Sequence, residues 1–216
     1  MSDTNPRAAV AGTARRLAAS GLNVGTAGNV SARFGRGLVA ITPSAMPYDV
    51  MTGDDVVVVG ADGEVAEGRR APSSELRMHL AIYEARPDVG AVVHTHSVFA
   101  TAFAAAGRPI PAVHYAIVPL GDEIRVAPYA TFGTAELARS VALTLADDNA
   151  VLIASHGAVA VGPDLDVALE RARTIEYLAE LAYRAATLGR AALFDAGELA
   201  RVREQLRRFP RQEPGP

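Results

Sequence analysis

The chain contains no cysteine and no tryptophan. Without cysteine, neither a disulfide nor a thiolate metal site can form, so any bound metal must use histidine and carboxylate ligands. No apolar run is long enough for a transmembrane helix, and the N-terminus lacks the basic-then-apolar pattern of a signal peptide. These absences predict a cytoplasmic protein that does not enter a membrane.

Charge is also nearly balanced, with 21 basic and 24 acidic side chains and a formal net charge of -3. A chain with this balance has no basic surface for nucleic acid, so we expect no nucleic-acid partner. Half of the 216 residues are hydrophobic, enough for a sizeable core. We expect a single domain over residues 1–209, followed by a flexible tail over the Pro-, Gly- and Gln-rich residues 210–216.

Hairpin signals and helical patterns alternate irregularly along the sequence. Paired strands are predicted within residues 30–42 and 56–66, and a long amphipathic helix over residues 164–188. The pattern predicts an α/β fold of three layers, in which a central, mainly antiparallel mixed sheet is flanked by helices. A dinucleotide-binding fold is not favoured, because the glycines at 25 and 28 precede a strand instead of linking a strand to a helix.

Two short apolar runs end in histidines: His94-Thr95-His96 and His156-Gly157. Residues i and i+2 of a strand point to the same face, so His94 and His96 could both reach one metal ion. His156 from a neighbouring strand would complete a three-histidine set, which with a vacant fourth position is typical of catalytic zinc. The alternative is that each is an ordinary core or surface histidine. Both segments lie at predicted strand ends, where functional sites are usually built, and this favours the metal site.

Glu75 is the best candidate for a carboxylate beside such a metal. It follows Ser73 and Ser74, one of which is predicted to cap a helix that runs to about Arg86, with Glu75 in the first turn. The positive end of a helix favours an anion, although a capping-turn glutamate would have the same signature. The two serine hydroxyls and free backbone N–H groups also suit a phosphate.

Seven short motifs, taken together, resemble the zinc-dependent class II aldolase and adducin-like family, of the L-fuculose-1-phosphate aldolase type. They occur in the family's order and span nearly all of residues 8–208. The motifs are Gly28–Ser31, Thr42–Ser44, Pro72–Glu75, His94–His96, His114–Tyr115, Ala127–Thr134 and Ser155–Gly157.

The resemblance implies a role for each matching residue. It makes His94, His96 and His156 ligands of one Zn²⁺ per subunit, and Glu75 the acid/base. The implied phosphate-binding positions are Gly28, Asn29, Ser44, Ala45, Ser73 and Ser74. Tyr115 would reach the active site of a neighbouring subunit of a homotetramer and protonate the aldehyde oxygen. Without the resemblance, Tyr115 would be interpreted as a core or interface tyrosine.

The implied reaction is reversible cleavage of a ketose 1-phosphate to dihydroxyacetone phosphate and an aldehyde, through an enediolate that the metal stabilises. A glutamate at position 75 favours an aldolase over the related sugar-phosphate 4-epimerases or dehydratases. Ala45 stands where aldolases often have glycine, and the tail lacks the tyrosine of fuculose-phosphate aldolases. The expected substrate is therefore L-fuculose 1-phosphate or a 5-deoxypentulose or methylthio analogue. A non-catalytic adducin-like domain is disfavoured because all three histidines are present.

Overall fold

The computed structural model describes residues 5–35 and 37–209. Within these ranges the chain forms six α-helices: α1 Pro6–Ala19, α2 Leu76–Ala85, α3 Val98–Ala105, α4 Ala135–Leu145, α5 Leu165–Thr187 and α6 Ala196–Arg208. It also forms eight strands: β1 Asn29–Phe34, β2 Leu38–Ile41, β3 Val57–Val59, β4 Val65–Glu67, β5 Ala91–Thr95, β6 Val126–Ala127, β7 Ala150–Ile153 and β8 Gly157–Gly162. The predicted tail at 210–216 lies outside the described residues, and the domain boundary at 209 stays a prediction.

All eight strands belong to one sheet, in the order β4-β3-β2-β1-β5-β8-β7-β6. Each neighbouring pair is antiparallel except β6 and β7, which are parallel. Short turns join three of the six antiparallel pairs, β1–β2, β3–β4 and β7–β8, because two antiparallel strands need only a hairpin between them. The prediction of a mainly antiparallel mixed sheet is confirmed.

The sheet is covered on both faces, as strand β8 shows. Its side chains alternate, so that Val159 and Val161 lie in a core with α2 and α4, whereas Ala158 and Ala160 lie in a core with α1, α3 and α5. Helix α5 packs on β5 and β8, where the small alanine side chains let it approach closely. The three-layer α/β/α prediction is therefore confirmed.

The register of the central strands positions the candidate residues. Strand β5 lies between β1 and β8, with Asn29 opposite His94 on one side and Val159 opposite His94 on the other. His156 lies in the turn that joins β7 to β8, not on a strand. The ends of β1 and β5 and the β7–β8 turn consequently meet at one place.

A second contact brings the loop that contains Ser44 and the segment that contains Ser73 and Ser74 to the same place. Pro43 and Pro72 form an isolated antiparallel bridge, and the Ser73 N–H donates to the Thr42 carbonyl at 3.1 Å. The loop after β2 and the segment before α2 therefore run side by side. None of the described helices has both the length and the apolar character to cross a bilayer.

Candidate active site

The imidazoles of His94, His96 and His156 converge. Their ring centroids lie 4.8 to 4.9 Å apart, and the rings stand edge to face. The Nε2 atoms of His94 and His96 are 2.9 Å apart. The i and i+2 spacing therefore does place both rings on one side of β5, and the β7–β8 turn adds the third ring.

The surrounding backbone fixes two of these rings. His94 Nδ1 lies 2.9 Å from the Ala158 carbonyl oxygen, which can only accept, so Nδ1 carries a proton and Nε2 is the ring nitrogen left to face the cluster. The backbone N–H of His96 donates to Asn23 Oδ1 at 3.0 Å. His94 is wholly buried on β5, so its orientation is set by the sheet itself.

Glu75 faces the same cluster. Its Oε2 lies 3.0 Å from His94 Nε2, and its Oε1 lies 3.3 Å from His156 Nε2. Asn29 Nδ2 donates to Oε2 at 2.9 Å. The side chain is buried, and among the described residues Oε1 has no hydrogen-bond partner. Glu75, His94, His96 and His156 together form a group whose ligand atoms all lie within 4.8 Å of one another.

The start of α2 differs from the prediction, which had a serine cap and Glu75 in the first turn. The helix begins at Leu76, and Glu75 itself is the N-cap residue, without a capping bond from its side chain. Ser73 Oγ instead accepts the Glu75 N–H at 3.2 Å. The prediction was wrong because the Glu75 carboxylate turns away from its own helix toward the imidazoles.

Burial and charge set the protonation of this cluster. Burial alone would raise the pKa of Glu75, but the charges of His94 and His156 and the hydrogen bonds from His94 and Asn29 hold that pKa well below its usual range. Burial, with the charges of His94 and His156, lowers the pKa of His96 to about 4. Glu75 is therefore ionised and His96 neutral near pH 7.

The donor set fits a divalent metal. Two nitrogens bound to one tetrahedral zinc would be about 3.3 Å apart, since each Zn–N distance is about 2.05 Å. The 2.9 Å between the His94 and His96 Nε2 atoms is close to this value. The unpartnered, buried Glu75 Oε1 beside them is a further sign that a cation belongs here. The identity of the metal as zinc remains a prediction.

The cluster opens into a cleft of about 310 Å³. Glu75, His96 and His156 line it. All six predicted phosphate-binding positions line it as well: Gly28, Asn29, Ser44, Ala45, Ser73 and Ser74. The structure thus brings together segments that lie far apart in the sequence. Their function in holding a phosphate is not tested by this geometry and stays a proposal.

Two residues of the cleft have an unusual backbone. Ala45 and Ser155 both have φ of +53°, in the left-handed region that non-glycine residues rarely adopt. At Ala45 this explains why glycine suits the position, since only glycine enters that region without steric cost. Strained residues of this kind often mark functional loops.

Tyr115 lies outside this cleft. It begins a 3-10 turn, about half of its surface is exposed, and its ring packs against that of His114 with centroids 4.4 Å apart. It lines separate surface pockets with Glu170, Thr174 and Leu206. Tyr115 therefore does not join the cluster within its own chain.

Sequence reasoning assigned no role to several residues that the structure brings to the site. Tyr129 and Phe132 line the cleft with aromatic rings that are 62% and 65% exposed. His79 lies behind Asn29, with its Nε2 against Asn29 Oδ1. Burial and the charge of His94 lower the pKa of His79 to about 3, so its imidazole is neutral. A four-residue spacing from Glu75 was the available signal for His79.

Known proteins resemble this chain over most of its length. The family described as "Class II Aldolase and Adducin N-terminal domain" matches residues 8–183. The 5-methylthioribulose-1-phosphate/5-deoxyribulose-1-phosphate aldolase of Rhodospirillum rubrum is 44% identical over 91% of this chain and 88% of its own. The L-fuculose phosphate aldolase of Escherichia coli strain K12 is 48% identical over 74% of each chain.

The chain belongs to the class II aldolase and adducin family. A solved structure of an L-fuculose 1-phosphate aldolase agrees in fold, with a TM-score of 0.91 and 36% identity, over 96% of this chain and 98% of that one. The predicted family, the fold and the aldehyde-lyase class of enzyme are confirmed.

Gly157 is the residue at which this site leaves least room. A Cβ placed there would lie 2.3 Å from the Thr95 carbonyl oxygen and 3.2 Å from ring atoms of His94 and His96. We predict that Gly157→Ala lowers the free energy of unfolding by about 1–3 kcal/mol through overpacking. The same variant should bind less metal. Urea unfolding and metal analysis measure the two effects.

Gly12→Ala is the matched control. Position 12 lies inside helix α1, where a Cβ would meet only Arg15 Nη2 at 3.9 Å. Alanine is favoured there by up to about 1 kcal/mol over glycine. Equal stability and metal content in Gly157→Ala and Gly12→Ala would contradict the crowding at the β7–β8 turn.

Proposed function

We propose that this protein cleaves a ketose 1-phosphate reversibly to dihydroxyacetone phosphate and an aldehyde. The observation that carries the proposal is the position of Glu75. Its ionised carboxylate lies 3.0 to 3.3 Å from the nitrogens of two imidazoles, at the wall of a cleft that also presents Ser44, Ser73 and Ser74. A proton-transfer group, a metal-binding set and neutral phosphate donors thus share one small space.

The absence of lysine supports a metal-dependent mechanism. All 21 basic side chains of Lys and Arg type are arginine. An aldolase that forms a Schiff base needs a lysine amine, so that mechanism is closed to this chain. A divalent cation held by His94, His96 and His156, for which we propose Zn²⁺, would supply Lewis-acid stabilisation of negative charge on the substrate's oxygens.

Glu75 moves the proton in this proposal, and Oε1 is the atom that carries it. Asn29 donates a hydrogen bond to Oε2, whereas Oε1 accepts no hydrogen bond from the described residues and lies 3.3 Å from His156 Nε2. Carbon–carbon cleavage releases the proton of the substrate hydroxyl that becomes the aldehyde oxygen. Glu75, once it has taken up a proton, would give it to the carbon of the enediolate and so complete dihydroxyacetone phosphate. In the direction of synthesis it removes the same proton.

Neutral groups would hold the phosphate. Among the described residues that line the cleft none is an arginine, and the serine hydroxyls stand beside the N-terminal end of α2. The free N–H groups and the dipole of a helix start stabilise an anion. We propose that Ser44, Ser73 and Ser74, with Gly28, Asn29 and Ala45, form this subsite.

The cleft favours a substrate with an apolar end. Tyr129 and Phe132 present exposed rings to it, and such rings bind methyl or methylthio groups through dispersion and desolvation. The relative from Rhodospirillum rubrum, named for methylthioribulose and deoxyribulose phosphates, also matches a larger share of this chain than the fuculose enzyme of Escherichia coli does. We therefore propose a 5-deoxypentulose or 5-methylthiopentulose 1-phosphate as substrate, ahead of L-fuculose 1-phosphate.

A panel of sugar phosphates tests this proposal. We predict release of dihydroxyacetone phosphate from 5-methylthioribulose 1-phosphate and 5-deoxyribulose 1-phosphate, with kcat/KM about tenfold above that for L-fuculose 1-phosphate, a discrimination that an apolar pocket can supply. Coupled reduction of the released triose phosphate measures it. No release from any 1-phosphoketose, or epimerisation of L-ribulose 5-phosphate without triose release, would show that the reaction is misassigned.

The role of Glu75 has its own test. We predict that Glu75→Gln keeps its metal but slows exchange of the dihydroxyacetone phosphate proton with solvent by roughly 10²–10⁴-fold, the usual contribution of a general base. The comparison variant is His96→Ala, which should lose both metal and exchange. Proton exchange is followed by NMR in deuterated water, and an unchanged rate in Glu75→Gln would remove its assigned role.

We further propose that Tyr115 acts in the site of a neighbouring subunit of a homotetramer. The residue lies on the surface, away from the cleft of its own chain, with about half of its ring exposed. The hydroxyl of a tyrosine is a hydrogen-bond donor, so it can donate its proton to an aldehyde oxygen.

Mixing subunits of two variants tests whether Tyr115 acts in the site of a neighbouring subunit or in that of its own chain. We predict that Tyr115→Phe and Glu75→Gln are each weakly active alone. Subunit exchange between them should restore activity at roughly a quarter of the sites, because some sites then combine both native residues. Activity that stays at the level of the two separate variants, with exchange verified by mass spectrometry, would place Tyr115 outside the neighbouring site.

A further inference from the structure

A chain of buried polar side chains runs from Glu75 into the protein, and we name it the β1–α2 polar chain. Its members, in order of contact, are Glu75, Asn29, His79, Ser31 and Tyr83. Ser31 Oγ lies 2.6 Å from His79 Nδ1 and 2.8 Å from the Tyr83 hydroxyl. Each member is at least 95% buried, although only Glu75 and Asn29 line the cleft.

The β1–α2 polar chain results from two regular spacings in the sequence, one on a helix and one on a strand. Glu75, the N-cap residue of α2, is followed at intervals of four residues by His79 and Tyr83, so the three lie on one side of the helix. Asn29 and Ser31 are two residues apart on β1, so both point to the same face of the sheet. Helix α2 packs over that face. The hydrogen bonds therefore alternate between side chains of α2 and side chains of β1.

All hydrogen bonds of the β1–α2 polar chain are donated in one direction, from Tyr83 toward Glu75. An ionised Glu75 only accepts, so the Asn29 amide presents its nitrogen to Oε2 and its oxygen to His79. His79 Nε2 must then carry a proton. A neutral imidazole leaves Nδ1 as an acceptor, which the Ser31 hydroxyl satisfies while it accepts from Tyr83.

We propose that His79 is a positioning residue for the reaction, in the Nε2–H form, and that it acts on Glu75 through Asn29. This rests on the proposed role of Glu75. The two ends of an amide have the same shape, so packing alone does not decide which end of Asn29 faces the carboxylate. A donor at His79 Nε2 pairs only with the oxygen end of the amide, and so it keeps the nitrogen end toward Glu75 Oε2. With Asn29 so oriented, Oε2 is engaged and Oε1 is left to carry the proton.

If the β1–α2 polar chain served only to stabilise the fold, its buried side chains would not need to be polar. Well-packed apolar residues stabilise a buried position as well as a polar group does, and an incompletely paired polar group is costly there. The β1–α2 polar chain is fully paired from Tyr83 to Glu75 Oε2, and it ends at the group that the reaction uses.

His79→Gln and His79→Asn form a matched pair of variants. The amide of glutamine reaches about as far as Nε2 of an imidazole and can donate to Asn29 Oδ1, whereas the amide of asparagine reaches only as far as Nδ1. We expect His79→Asn to lower kcat for triose release at least about tenfold, the effect of one lost hydrogen bond to a charged partner's orienting group. His79→Gln should stay within about threefold of the native kcat. KM and metal content should change little in either variant.

Three outcomes would overturn the proposal. Equal kcat values in the two variants would make His79 a packing residue. A loss confined to KM would assign His79 and Asn29 to substrate binding. A loss of metal in His79→Asn with a native kcat per bound metal would place the effect on the metal site. A native enzyme inactive on every sugar phosphate would instead refute the proposed function, not this positioning role.

NMR of the native, metal-loaded protein gives a test that needs no variant and no substrate. With the histidines labelled with ¹⁵N, His79 should show a protonated Nε2 and an unprotonated Nδ1. His94 is the internal comparison, since its Nδ1 faces the Ala158 carbonyl and carries the proton. Protonation of His79 on Nδ1, or exchange between the two tautomers, would reverse the direction of the chain and refute the proposal.

Discussion

The antiparallel register of β5 between β1 and β8 is the constraint on which the rest of this site depends. It sets Asn29 opposite His94 and Val159 opposite His94, so strand hydrogen bonds fix the first imidazole. The turn that joins β7 to β8 brings the ring of His156 to within 4.9 Å of those of His94 and His96. A shift of one residue would send the paired side chains to the opposite face of the sheet. Because both faces are buried under helices, such a shift in β8 would put Val159 and Val161 where alanines now let α5 approach, and would overpack that core.

Within that frame the site is a buried negative charge surrounded by neutral donors. Glu75 is ionised among imidazoles, and burial strengthens each of its interactions because little water screens them. The cluster suits a divalent cation, whose positive charge would lie beside the ionised Glu75. The phosphate end of the cleft uses hydroxyls and a helix start, so the substrate's negative charge would meet the metal and the helix dipole without a competing arginine.

Local patterns predicted much of this arrangement. The i and i+2 spacing of His94 and His96 is a property of any strand, and it holds wherever β5 pairs. The caps of α4 and α5 are equally local, since Thr134 and Asp164 each accept a backbone N–H from three residues further along the chain. The cap of α2 was misjudged because a capping glutamate and a glutamate turned toward another segment share one sequence signature. His79 was overlooked because its four-residue spacing from Glu75 and Tyr83 acquires meaning only beside Asn29 and Ser31.

The sequence by itself determined the residue types of the site, the shared face of His94 and His96, the family, and the exclusion of thiolate and Schiff-base chemistry. Only the tertiary structure decided that His156 completes the cluster from a turn, that Tyr115 lies outside its own cleft, and that Asn29 donates to Oε2 of Glu75. The physical reason is the distance along the sequence over which each effect acts. Periodicity orients side chains that are a few residues apart, whereas the meeting of distant segments is decided by strand pairing and by the burial of both faces of the sheet.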